Sequence, residues 1–143
     1  MSNISIQLEG SDGYQAAEDF YRSVGYLAPI VNTDIVFTAR DQDKIIGVVR
    51  LSVEESTLVL RGMMIAPSHQ RQGIGSLMLS QLEKAIGPRD CYCLPHGWLD
   101  EFYGQIGFVT IADSMAPPHL KIRLSDNRRK YPKLILMRRL GAT

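Results

Sequence analysis

The chain has 143 residues, 45% hydrophobic and 22% charged, an ordinary balance for a soluble globular protein in which one domain over 1–143 is expected. A formal net charge of +1 gives no electrostatic reason to expect nucleic acid or an anionic membrane as partner, and two cysteines build no disulfide framework. No apolar run approaches the roughly 18 residues of a transmembrane helix, and MSNISIQLEG lacks the apolar core of a signal peptide, so a cytoplasmic protein is the plain expectation.

Residues 3–8 (NISIQL) alternate as a short strand that Gly10 to Gly13 break. Tyr14, Ala17, Phe20, Tyr21 and Val24 then recur at helical spacing over 12–24, with Ser11 or Asp12 as N-cap. DIVFTAR (34–40) and KIIGVVRLSV (44–53) read as a hairpin turning at 41–43. TLVLRGMMI (57–65) is a third antiparallel neighbour, ended by Ala66 and Pro67. Beyond it, Ile74, Leu77, Met78, Leu82, Ala85 and Ile86 form a helical stripe that stops at Gly87-Pro88. CYCL (91–94) has the character of a buried parallel strand, WLDEFYGQ (98–105) of a helix ended near Gly107, and 108–111 of a strand. Pro117-Pro118 open a helix through Leu124, and LILMRRL (134–140) closes the chain as a strand. Helices between strands after an antiparallel meander predict one α/β domain with a mixed sheet.

The stretch SHQRQGIGSLML (68–79) puts two glycines at a helix start, where free N–H groups and the helix dipole favour an anion such as a phosphate. It is not a Walker loop, because no lysine follows the second glycine. It is not a dinucleotide turn either. Met78 stands where a third small residue is needed, the next strand ends Leu94-Pro95-His96 without an acid, and seven residues separate Ile65 from Gly73.

MMIAPSHQRQGIGSLML resembles the acyl-CoA-binding motif of the GNAT superfamily of N-acetyltransferases, V-x-P-x-x-(Q/R)-x-x-G-x-(G/A). Ile65 takes the valine place, and Pro67, Gln70, Gly73 and Gly75 match. WLDEFYGQIGF is similar to the family's second pattern, which ends in F/L-Y-x-x-x-G-F, and the two together extend the resemblance over nearly the whole chain. The resemblance implies a mostly antiparallel sheet flanked by helices, with two splayed parallel central strands, here 57–65 and 91–94. It implies acetyl-CoA as co-substrate, its pyrophosphate held by Gln70, Arg71, Gln72, Gly73, Ile74, Gly75 and Ser76. The pantetheine arm would bond backbone groups near Met63 and Ile65, an oxyanion-type contact whose loss can cost roughly 3 kcal/mol. It also implies direct attack by a primary amine, with Tyr103 as the acid that protonates the leaving thiolate.

The acceptor, a small-molecule or peptide amine, is not named by the sequence. Period-two alternation puts Arg61 on the face of Met63, as a ligand for a substrate carboxylate or as the partner of a core-edge acid. Where many relatives carry an acidic or histidine base, this chain has Val59 and Arg61, which leaves Glu54, Glu55 or a water chain for that role. His96 replaces a common asparagine and reads more simply as a loop residue. Cys91, Cys93 and His96 lack a fourth ligand at recognisable spacing, so no metal is expected. NRRKYPK (127–133) reads as a solvated loop rather than a nucleic-acid patch. A homodimer is left open. The alternative to an enzyme is a catalytically silent acyl-CoA sensor.

Overall fold

The structure, a computed structural model, describes residues 3–141. Its strands are β1 (Ile4–Glu9), β2 (Ile35–Asp41), β3 (Lys44–Glu54), β4 (Thr57–Ile65), β5 (Cys91–Cys93), β6 (Val109–Ile111) and β7 (Leu136–Arg139). They form one seven-stranded sheet in the order β1-β2-β3-β4-β5-β7-β6, antiparallel throughout except where β4 meets β5. The helices are α1 (Tyr14–Ser23), α2 (Ile74–Ile86), α3 (Asp100–Gly104) and α4 (Pro118–Arg128).

Alternation along the strands sorts the helices onto two faces. Val49 and Leu51 pack against Met78, Leu79, Leu82 and Ile86 of α2, in a core that also takes Tyr103 of α3. Their neighbour Val48 points the other way, with Val36, onto Ala17, Phe20 and Tyr21 of α1. Further along that second face, Val59 and Leu136 pack under Leu120 and Leu124 of α4. So α2 and α3 cover one face, while α1 and α4 cover the other.

The expected elements are present, with shifted ends. Ser11–Gly13 is a separate 3₁₀ turn and α1 begins at Tyr14 with Gly13 as N-cap, so neither Ser11 nor Asp12 caps it. α4 outruns the predicted Leu124 and ends at Arg128, because Arg128 reaches over to donate to the Leu134 carbonyl. β7 starts at Leu136 rather than 134, since Leu134 and Ile135 are tied to the turn after β5 (Gly97 N–H to Lys133 O, 2.8 Å; Ile135 N–H to Pro95 O, 2.9 Å).

One correction bears on the site. Val48 faces Met64 across the β3–β4 ladder and Arg50 faces Arg61, so two steps on β3 match three on β4. The extra residue is a bulge centred on Gly62, whose φ is +70°. It breaks the alternation assumed for this strand. Met63 packs with the α2 core, Met64 with the α1 cluster, and Arg61 shares a face with Arg50 rather than with Met63. Tyr21 donates to the Gly62 carbonyl at 2.8 Å, and a Cβ on Gly62 would lie 2.4 Å from that hydroxyl.

Beyond the bulge the two parallel strands part. β4 and β5 share one register pair, Val59 with Tyr92, after which the chain following Cys93 leans onto the approach to β7 through the bonds of Pro95 and Gly97. Arg61 to Ile65 are left half-buried along the gap.

Gly62→Ala should lower stability by about 1–3 kcal/mol, from the left-handed φ and the clash with Tyr21. Urea denaturation of Gly62→Ala, Tyr21→Phe and the double variant measures this. Because Phe removes the clashing oxygen, the double variant should lose less than the sum of the singles.

Candidate active site

The loop between β4 and α2 is held from below. Gln70 Nε2 donates to the Ile65 carbonyl at 3.0 Å and Gln72 Nε2 to the Ser68 carbonyl at 3.3 Å, so both side chains brace the loop and leave its amides free. Arg71 (φ +63°) and Gly73 (φ +79°) are both left-handed, which curls the backbone so that successive N–H groups converge, as in an anion nest. α2 has no side-chain cap, and no N–H from Arg71 to Ser76 has a protein acceptor among the described residues. These amides, with the positive end of a 13-residue helix behind them, suit a pyrophosphate.

Gly75 serves this loop differently from the expectation of close cofactor approach alone. A Cβ there would sit 2.9 Å from Phe102, so the missing side chain lets α3 dock on the first turn of α2. That docking places the next residue, Tyr103. Its ring meets Phe102 and Phe108 edge-on and is buried, and its hydroxyl has no hydrogen-bond partner among the described residues. Burial pushes the phenol well above its ordinary range, reinforced by Cys93, Tyr26 and Tyr21. Tyr103 comes from the α2/α3 face and Tyr21 from the α1 face.

On the α1/α4 face, a trough of about 410 Å³ lies between the α1–β2 loop and α4, floored by β3 and β4. Arg61 reaches it one residue before the bulge and pairs with Glu54 at 3.1 Å, the structural alternative named for it above. Arg123 of α4 takes the other oxygen of Glu54 at 2.6 Å, and His119 stands 3.5 Å from Glu54 and 3.1 Å from Glu55. Burial alone would raise the Glu54 carboxyl, but Arg123 and then Arg61 outweigh it and hold it below the usual range. A carboxylate shared by two arginines is a weak base.

His96 stacks on Trp98 with ring centroids 4.4 Å apart and meets Tyr131 edge-on, so it is a structural member of the β5–α3 turn. Cys91 and Cys93 are buried; burial pushes the Cys91 thiol up to about 12 and Cys93 well above its ordinary value, which rules out thiolate chemistry at neutral pH. Among the described residues no group of three or more His, Cys, Asp or Glu could hold a metal ion. No helix among them is long and apolar enough to cross a membrane.

Sequence reasoning missed Gly62, Tyr21, Arg50, His119 and Arg123. A lone glycine inside an apolar strand was the readable signal for the bulge. Arg50, charged within an otherwise apolar strand, was the signal for a buried polar site. Nothing local marks His119 or Arg123.

The sequence model of the acetyltransferase (GNAT) domain matches residues 32–110, from the end of the α1–β2 loop through α3 into β6. The chain belongs to the GNAT family. Similar solved structures show the same fold at low identity. N-acetylglutamate synthase from Neisseria gonorrhoeae, complexed with coenzyme A and N-acetyl-glutamate, superposes with a TM-score of 0.68 at 16% identity; all of this chain matches 36% of that one. The ribosomal-protein-S18-alanine N-acetyltransferase of Escherichia coli gives 0.68 at 15% identity, covering 98% of this chain and 95% of that one. The PaiA N-acetyltransferase of Thermoplasma acidophilum, in complex with coenzyme A, gives 0.62 at 14%, covering 96% and 99%. No curated protein matches by sequence. The protein is therefore an acyltransferase of this family rather than the catalytically silent acyl-CoA sensor named as the alternative.

The lowered Glu54 carboxyl ties stability of this GNAT domain to pH. Its folded value lies below its unfolded one, so the contribution is complete above the ordinary carboxylate value of 4.5 and is lost as pH falls through the lower folded value. Thermal melts of the wild type and Glu54→Gln between pH 3 and 7 should show the wild type losing its advantage on acidification and the variant varying less.

Proposed function

We propose that this GNAT enzyme binds acetyl-CoA with its pyrophosphate on the amides of Arg71 to Ser76 and its pantetheine arm in the β4–β5 gap, and passes the acetyl group directly to a primary amine. The observation that carries the reading is the run of amides from Arg71 to Ser76 without protein acceptors at the start of α2, directly after β4, which shares only one register pair with β5. Met63 and Ile65 line that gap as half-buried residues; backbone groups of β4 would hold the pantetheine amides and polarise the thioester carbonyl. The amine arrives from the opposite face, through the trough that ends at Arg61.

Tyr103 then faces the sulfur. Because burial holds its proton tightly, the phenol acts as a hydrogen-bond donor that stabilises the developing thiolate while keeping its proton, and the thiolate, of ordinary pKa roughly 8.5, takes its proton from solvent. The same burial means that the phenol does not ionise across the working pH range. A basic arm in the pH–rate profile therefore reports the attacking amine, not Tyr103. The base that frees the ammonium is Glu55, the exposed carboxylate on the trough, or water; Glu54 is committed to its arginines. The acceptors in the names of the structural relatives range from amino acids to a ribosomal protein, so likeness of fold selects none of them.

Thiol release from acetyl-CoA against an amine panel tests the transfer, and Tyr103→Phe tests its hydrogen-bond donor. The variant should keep CoA affinity within a few-fold and lose about 10²-fold in kcat, with the basic arm unmoved. Full activity would remove Tyr103 from the mechanism. Ser76→Glu tests the loop separately. An acid in the first turn favours the helix, so folding should hold while calorimetric CoA affinity falls at least about 10-fold through repulsion of the pyrophosphate. Unchanged affinity would remove the loop from the site.

A further inference from the structure

The trough between the α1–β2 loop and α4 is charged in an unbalanced way. Arg50, Arg61 and Arg123 line it, and two buried or nearly buried carboxylates answer them, Asp34 and Glu54. Asp34 is taken by Arg50 at 3.3 Å, so Arg61 and Arg123 share Glu54 alone. The third acid, Glu55, is 74% exposed and faces His119 at the rim, where solvent screens it. His119 adds no negative charge in either protonation state. The interior of the trough therefore carries one guanidinium more than its carboxylates neutralise.

The hydrogen bonding leaves guanidinium donors unspent, along with one acceptor, the buried Oδ1 of Asp34. Arg50 is 1% exposed and spends only one terminal nitrogen, on the Pro29 carbonyl at 2.6 Å and on Asp34. Its Nε is buried without a partner. Arg61 and Arg123 each spend one terminal nitrogen on Glu54. A partly buried guanidinium with unspent donors is costly unless something anionic completes it. A carboxylate fits best, because its two oxygens accept in the plane and at the spacing in which the guanidinium fork donates. Pro29, Val31 and Val53 give the same trough an apolar lip suited to an aliphatic chain.

We infer that the trough is a carboxylate site, and that the acceptor is a small amine that also carries a carboxylate. This rests on the transfer reading above, since the trough ends one residue from the Gly62 bulge, where that reading brings the acetyl carbon. With its carboxylate among Arg50, Arg61 and Arg123, the acceptor's amine extends toward the β4–β5 gap. There it attacks the thioester carbonyl; the C–S bond breaks, the sulfur leaves as thiolate, and the ammonium proton passes to solvent or Glu55. Arg50 anchors the carboxylate from the floor, and the two arginines on Glu54 swing from their shared partner onto the ligand.

The test uses thiol release from acetyl-CoA with α-, β-, γ- and ω-amino carboxylates, each beside its carboxamide. At least one carboxylate should exceed its amide in kcat/KM by about 10-fold or more, mainly through KM. Arg123→Gln, at a half-exposed site where folding is not at risk as it is for Arg50, should shrink that ratio by about 10-fold, and Arg61→Gln should do likewise. If amides match or exceed every carboxylate, the inference falls and the transfer reading stands. If no amine turns over, calorimetric titration of the amino carboxylates into the protein with CoA decides. Binding that Arg123→Gln weakens keeps the carboxylate site while removing the transfer reading, and absence of binding removes the site.

Discussion

β4 and β5 share a single parallel register pair and then separate, and every later feature of the site follows from where their backbone groups go. On the β5 side, the chain past Cys93 satisfies itself against the segment leading to β7. On the β4 side, the Gly62 carbonyl takes the Tyr21 hydroxyl and the Ile65 carbonyl takes the Gln70 amide. Side chains from α1 and from the loop thus stand in for a strand that would otherwise close the sheet. The opening persists because it costs few unpaired groups.

The bulge at Gly62 sets which side chains of β4 face the trough and which face α2. Arg61, in step with Val59, faces the same way as Arg50, and one extra residue after it turns Met63 onto the α2 face. Without it, Met63 would share the trough face with Arg61 and the α2 core would lose its packing. A glycine is needed twice over, for φ and for the nearby Tyr21. The same tyrosine thereby fixes the carbonyl beside the proposed reaction centre and the packing of α1.

Element order and most boundaries were legible because the signals are local. The turns Gln42-Asp43 and Glu55-Ser56 separate strands of clear pattern, and Ile74 to Ile86 repeat at one helical period up to Gly87. The loop proposed to hold the cofactor was legible because its signal, two glycines ahead of a helix, is contiguous in the chain. The bulge was not, since a pattern count over TLVLRGMMI assumes unbroken alternation and a single glycine shifts every side chain after it. Gly75 was read for the cofactor alone because its contact with Phe102 spans 27 positions, which no local window contains.

The trough was the least legible part, for a physical reason. Its charges come from the α1–β2 loop, two neighbouring strands and a helix inserted before the last strand, and no two of these are fixed relative to each other until the sheet forms. α4 decides the outcome. It buries Leu120 and Leu124 against Val59 and Leu136, and that apolar seam aims His119 and Arg123 at Glu54. The loop proposed for the cofactor offers only backbone groups, which distant relatives can share whatever their side chains. The trough is built from side chains on the least constrained helix, so the acceptor can change while the fold and the acyl donor stay the same.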